Sequence, residues 1–436
     1  MTRIQIVILM LVPLLFSCTS VAPEVEGEKS IELTQKEQDD VNDKLFSAAA
    51  KGDLKAIKNA LREGAELNST NMYSEHALFI ATSNSNEAAV KYLLSRGADV
   101  DLSEYTGLTS IARAALDCND KIITLLAEGG ADVNKAVLPK FEGGGLTPLI
   151  AVGRSCSLST VKILTSYNAD LAATNVGGET ALLAALNYAN TPVALFLVRE
   201  GSPLEKKRVL DGRDALTISA RFGLGSLVKE ILQRGALVDV RDEKGLTPLI
   251  HATKNEHLST VLQLLSFDAG INAVTDEKRS ALMYAIVTGN KGLIRVLLEN
   301  GAEPDMVDLN DATAMIYALI RGDTESAEIL IEFGSDVNWL GSMNQNALKT
   351  AALHGNTEAV AMLISVGAKL DIINENGMSA LVIASVKGHT EVARLLIKAG
   401  ADVAVRTNDG FSALDIAEGV KNEELIKLLK EAGAKN

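Results

Sequence analysis

The chain has 436 residues, a formal net charge of −14 and only 4% aromatic residues. No basic cluster is larger than Lys206-Lys207-Arg208, so the basic face that nucleic-acid binding needs is missing, and the acidic balance serves solubility. Length alone suggests about two or three domains, but internal repetition overrides that and points to one elongated array.

At the N-terminus, Arg3 precedes an apolar run from Ile4 to Phe16. The run has signal-peptide length and is too short to span a bilayer. It closes on Leu15-Phe16-Ser17-Cys18, which resembles a bacterial lipobox, with Phe16 in place of the usual small or β-branched residue. The resemblance implies cleavage before Cys18 and acylation of Cys18, a stable anchor when several chains are attached. The alternative is an ordinary signal peptide with an incidental cysteine. The expected division is therefore 1–17 lipoprotein signal peptide, 18–33 lipidated Cys18 and flexible tether, and 34–436 repeat array. By analogy, Thr19 instead of Asp after the cysteine favours the outer membrane if the cell is Gram-negative.

From Gly64-Ala65 onward a dipeptide returns at a step of 33: Gly97-Ala98, Gly130-Ala131, Gly235-Ala236, Gly301-Ala302, Gly367-Ala368, Gly400-Ala401 and Gly433-Ala434, with Asn168-Ala169, Gly201-Ser202, Asp268-Ala269 and Gly334-Ser335 filling the gaps. The step slips twice, before Asn168 and before Gly235. A period of this length means small identical units that bury their apolar faces only by stacking. Each unit opens on a helix-capping residue: Thr109, Thr147, Thr180, Asp214, Thr247, Ser280, Thr313, Asn346, Ser379 or Ser412. These side chains accept from a free helical N–H. Asp43 extends the series and His76 is its exception. Second helices are amphipathic, with Val392, Leu395 and Leu396 at i, i+3, i+4. Asn168 and Asp268 are the next best residues after Gly for a left-handed C-terminal position.

The segments GLTPLIHATKNEHLSTVLQLL at 245–265 and NGMSALVIASVKGHTEVARLLIKAGADV at 376–403 resemble the ankyrin repeat. The resemblance implies an all-α solenoid of about twelve helix–turn–helix units, from about residue 42 to 436, joined by β-hairpin-like loops. The family's His after Thr-Pro-Leu is replaced by Ile150, Ile250, Met283 and Lys349, removing a side chain that usually ties adjacent loops.

Cys118 and Cys156 both stand twelve residues before the Gly position and so fall in the same inter-helix turn of adjacent units. Stacked helices sit roughly 8–10 Å apart, whereas a disulfide needs Cα atoms within about 7 Å. Two free thiols are expected, unless the 135–142 insertion distorts the junction in an exported, oxidised chain. The same insertion marks the expected weak point of the array, in units 3 and 4. No HExxH, zinc-spaced Cys/His set, GxxxxGK[ST] or GxSxG occurs. Gly143-Gly144-Gly145 reads as a flexible insertion. No catalytic residue, cofactor, metal site or small-molecule substrate is expected, and the chain is not read as an enzyme.

Two columns can be followed on the concave side of such an array. One is the loop position two residues past the Val-Asn place, and the other lies two residues before the inter-helix Gly. Both become apolar over the same four units, 8 to 11. Val274, Val307, Leu340 and Ile373 form the first column, and Val287, Ile320, Leu353 and Val386 the second. Trp339, the only Trp, adjoins Leu340, while Arg221, Arg241, Lys254 and Arg406 border the patch. A contiguous apolar surface with a polar rim reads as a binding site. The competing reading buries the second column between helices. The expected role is a membrane-tethered protein-interaction scaffold of the cell envelope. The alternatives are a structural or protective lipoprotein without one specific partner, or an enzyme assembled from separate loops.

Overall fold

The computed structural model describes residues 33–138 and 144–435, so Cys18 and its surrounding leader lie outside the described residues. The described residues form twenty-four α-helices, from Gln35–Lys51 to Glu423–Glu431, paired into twelve units. The all-α expectation holds: among the described residues the only β pairing is isolated antiparallel bridges such as Thr70–His76 and Val274–Ser280. These bridges pinch the hairpin loops between units. Successive first helices approach each other more closely than successive second helices. The stack therefore curves with the first helices inside, and one apolar core runs from Val41 to Leu429.

Local chemistry sets the boundaries. Thr147, Thr247, Ser280, Thr313, Asn346 and Ser379 each accept from the backbone N–H three residues on. Asn168 and Asp268 do take positive φ, 62° and 60°, where the other units carry Gly. Asp43 does not start its helix. The first helix begins at Gln35, behind a Thr34–Glu37 capping box, because residues 35–43 contain no Gly or Pro and continue the helix outward.

His76 is buried and caps Ala77–Ser83 by accepting from Phe79 N–H at Nδ1, 3.2 Å. Its Nε2 has no partner. Burial drives its pKa down to about 4, against a smaller upward pull from Asp99. The unfolded chain therefore binds a proton below about pH 6.5 that the folded chain refuses. Stability is full above that pH and lost as pH falls toward 4, by on the order of 3 kcal/mol. His76→Thr supplies the cap used elsewhere and removes the titrating ring. Urea unfolding at pH 7 and pH 4.5 should show the difference shrink in the variant; an unchanged difference would exonerate His76.

A side-chain ladder ties the hairpins together. The residue four past each Gly position accepts from the backbone N–H two past the next one. Asp99 N–H donates to Asn68, Asp132 to Asp101, Asp170 to Asn134, Gly270 to Asp239, Glu303 to Asn272, Asp336 to Asp305, Lys369 to Asn338 and Asp402 to Asp371, all at 2.8–2.9 Å. Asn42 makes the same bond to Glu66 N–H. Two interior rungs are missing. Between units 4 and 5, Ala172 has no acceptor and Pro203 no donor; between units 5 and 6, Glu205 does not reach Leu237 N–H. Cavities of about 410 and 530 Å³ open at these two junctions.

The junction between units 3 and 4, expected to be weak, is instead crossed by a covalent bond. Cys118 and Cys156 form a disulfide with Cα atoms 5.4 Å apart, which corrects the free-thiol expectation. The physical reason is local. Ser85, Cys118 and Ala189 all take positive φ in their turns, but Cys156 is extended, with φ −84° and ψ 169°. The two turns are therefore not superposable, and the usual helix spacing does not apply. Hydrogen exchange should accordingly find the junctions between units 4 and 5 and between units 5 and 6 less protected than the junction between units 3 and 4. The reverse order would show that the ladder does not set local stability.

Candidate functional site

Units 8 to 11 carry the two apolar columns at opposite ends of their first helices, the hairpin column beside the N-caps and the other in the last turns. Their first helices are Ala281–Thr288, Ala314–Ile320, Ala347–His354 and Ala380–Lys387. Each turns a small or aliphatic stripe inward, as with Leu282, Ala285 and Ile286, all buried at i, i+3, i+4. The next residue along the helix consequently faces out. Val287, Ile320, Leu353 and Val386 are 37 to 50% exposed, so the second column is not packed between helices. In the hairpins, Leu340 and Ile373 are exposed, and Val274, Val307 and Trp339 are half-buried. Trp339 lies over Gly341, where a Cβ would stand 2.7 Å from the indole ring, and this close approach requires glycine.

Three elements of this face escape the two-column reading. Leu309 and Met343 are exposed at hairpin tips and extend the apolar surface outward. Lys349 is buried, and its ammonium donates to the Asn344 carbonyl. Burial lowers its pKa to about 8, so it remains a cation at neutral pH and pins the Ser342–Asn344 turn from below. The third element is a polar cluster under the hairpin of unit 9. Tyr317 donates its hydroxyl to Asp308 Oδ2 at 2.6 Å, and Arg279 lies 5.8 Å from the Tyr317 ring centre and 3.6 Å from the same carboxylate. Burial, then the bond to Asp308, pushes the Tyr317 hydroxyl up to about 12. Burial pulls the Asp308 carboxyl upward. The Tyr317 hydroxyl and the Ala312 and Asn310 amides outweigh that pull and leave it below its ordinary value. His251 and Asp242 make the equivalent contact two units earlier, 2.9 Å apart. The signal for this column was present in the sequence: His251, Tyr284 and Tyr317 follow one another at the step of 33.

The basic rim is partly committed. Arg241 donates to Asp276 at 3.0 Å and to the Val274 carbonyl at 2.8 Å. Lys254 lies 5.4 Å from the Tyr284 ring centre, and Arg406 pairs with Asp415 at 3.0 Å. Among the described residues no group of three or more His, Cys, Asp or Glu side chains could hold a metal ion, and no helix is long and apolar enough to cross a membrane. What this arrangement offers is a surface: aliphatic side chains over a polar under-layer of Arg279, Asp308 and Tyr317.

The model for ankyrin repeats (3 copies) matches residues 45–137, 216–308, 292–374 and 355–436. Among similar proteins, the ankyrin repeat and KH domain-containing protein mask-1 of Caenorhabditis elegans is 34% identical over 151 residues, covering 34% of this chain and 6% of that protein. The B-cell lymphoma 3 protein homolog of Mus musculus is 33% identical over 147 residues, covering 33% of each. The chain thus spans a third or less of the length of these relatives. The crystal structure of the human ASB11 ankyrin repeat domain aligns with 51% of this chain and all of that one, at 25% identity and a TM-score of 0.45. Ankyrin repeats are typically non-catalytic interaction domains, and twelve stacked helix pairs with capped first helices and hairpin loops are what the match describes: the chain belongs to the ankyrin-repeat family.

Proposed function

We propose that this protein is a non-catalytic scaffold, tethered to a membrane of the cell envelope through acylated Cys18, that captures a protein partner on the concave face of units 8 to 11. The outer membrane is the favoured location if the cell is Gram-negative. The observation that carries the capture reading is that both columns are open in the same units: Val287, Ile320, Leu353 and Val386 are exposed where Leu340 and Ile373 are exposed too. A solvent-facing run of aliphatic residues with a charged border is costly to leave uncovered and fits a partner's apolar surface. Half-buried Trp339 supplies a rigid anchor of the kind that dominates interface energetics.

The tether reading rests on the apolar run ending at Cys18. It gains support from the Cys118–Cys156 disulfide, since such bonds persist in oxidising, exported compartments and are rare in a reducing cytosol. Intact-mass analysis should find a mature chain beginning at Cys18 and carrying acyl chains, and Cys18→Ala should release the protein or leave it unprocessed. A free N-terminus elsewhere would sink the tether. For capture, the test compares proteins retained from detergent-solubilised membranes by the wild-type chain and by a Leu340→Glu, Ile320→Glu double variant.

A further inference from the structure

A second apolar surface lies on the other half of the array, away from the face assigned above. It occupies the hairpin tips, at the place eight residues past each Gly position. In the first five hairpins that place holds Met72, Tyr105, Leu138, Val176 and Val209, each at least 42% exposed. Two tips carry a second exposed residue beside it, Tyr73 and Leu210. In the remaining hairpins the same place holds Glu243, Asp276, Leu309, Ser342, Glu375 and Asn408. The C-terminal half thus acts as an internal control. The hairpin itself does not require an apolar residue there, because the same backbone accepts Glu, Asp, Ser or Asn.

The row is held in line by backbone bonds. Leu138 N–H donates to the Thr106 carbonyl at 3.0 Å, Val176 to Gly144 at 3.1 Å, and Val209 to Gly177 at 2.8 Å. Leu138, Val176 and Val209 are therefore each fixed against the preceding hairpin. The chain enters the array at the base of the first hairpin. Leu33 lies over Gly64, Gln38 Nε2 donates to the Gly64 carbonyl at 3.0 Å, and Asn42 accepts from Glu66 N–H at 2.8 Å. Gly64 to Glu66 is the base of the first hairpin.

From these placements we infer that the hairpin tips of units 1 to 5 rest on the lipid bilayer, with their apolar side chains in the interfacial layer. The inference builds on the acylated Cys18 proposed above. Residues 19–33 reach at most about 50 Å when fully extended, so an anchor at Cys18 confines the first hairpins to the neighbourhood of the bilayer surface. The chemistry of the row suits that layer. Tyrosines and aliphatic side chains sit at the membrane–water boundary, and exposed Lys206, three residues before Val209, suits lipid phosphates. A weak apolar contact added to acyl chains sets the orientation of the array, holding the N-terminal hairpins down and leaving units 8 to 11 free for a partner.

The test places a fluorescent reporter along the one column. In the lipidated full chain, with Trp339→Phe to clear the background, single tryptophans are introduced as Met72→Trp, Val209→Trp, Asp276→Trp or Asn408→Trp. Each protein is reconstituted on vesicles of phosphatidylethanolamine and phosphatidylglycerol with brominated acyl chains. The reporters at 72 and 209 should shift to the blue and lose emission to the bromines; those at 276 and 408 should do neither. Adding Tyr73→Glu and Leu210→Glu should abolish quenching at position 209 while circular dichroism stays unchanged. Unquenched reporters at 72 and 209 on a chain whose mass shows acylated Cys18 would overturn the bilayer contact and leave the anchor standing. Quenched reporters at those positions on a chain without acyl groups would overturn the anchor and leave the contact standing. Equal quenching at all four positions would show nonspecific adsorption and would also overturn the inference.

Discussion

Substituting Glu for both Leu340 and Ile320 is expected to leave the fold intact and to weaken partner capture by roughly a hundredfold or more. Both side chains are about half exposed, 46% and 50%, so neither carboxylate is forced into the core when the protein is alone. Ile320 is the last residue of its helix and faces away from the buried Ala318 and Leu319. In a complex the situation reverses. A partner that covers the patch strips water from both carboxylates and offers no cation in return, a penalty of about 3–5 kcal/mol. Arg241, at the border of the patch, stands three repeats before Leu340 and is already paired with Asp276. The matched control places Glu at Ser83 and Thr174, which occupy the same two columns in the polar half. Capture should survive there. If the Leu340/Ile320 variant retains its circular dichroism and every captured protein, the patch is not the binding surface, and units 1 to 6 become the next place to look.

Breaking the disulfide should have the largest effect on stability. Cys118 and Cys156 are 38 residues apart in sequence, and closing a loop of that size removes about 4 kcal/mol of unfolded-chain entropy. Cys156→Ala, or reduction, should therefore lower the stability of units 3 and 4 by about that amount. The insertion would then become the weak point that its broken repeat register suggests. The effect should be local, since each unit touches only its neighbours. Urea unfolding of the reduced protein should show an early transition confined to the N-terminal third, with the C-terminal units melting as before. A single unshifted transition would mean that packing alone secures this junction.

The repeat made most of the architecture legible. A step of 33, Ser/Thr/Asp/Asn caps and Gly-Ala ends each state one local requirement, and twelve restatements leave little room for another fold. The exceptions were legible for the same reason: Asn168 and Asp268 adopt left-handed backbone because they are the residues that tolerate it. What the repeat hid were departures from itself. Equivalence with Cys118 puts Cys156 in a left-handed turn, yet its backbone is extended where its counterparts are left-handed. The same equivalence makes Asp43 a cap, yet residues 35–43 continue a helix that nothing stops. The inter-unit ladder and its gap at Ala172, Pro203 and Glu205 require knowing which atoms meet across units, although the Asn/Asp column itself was visible at the step of 33. For the candidate site, exposure of the second column was the open question, and inward packing of Leu282, Ala285 and Ile286 decides it. Tyr317, Leu309 and Met343 lie outside the two columns, and the burial of Lys349 under the Ser342–Asn344 turn depends on packing that its position in the repeat does not state.

The measurement that bears most directly on the scaffold reading is hydrogen exchange of the captured complex, compared with the free protein. Added protection should fall on the helix ends at Val287, Ile320, Leu353 and Val386 and on the hairpins at Val274, Val307, Leu340 and Ile373, with second helices and units 1 to 6 unchanged. A footprint confined to units 1 to 6, or to the second helices on the outer side, would contradict it.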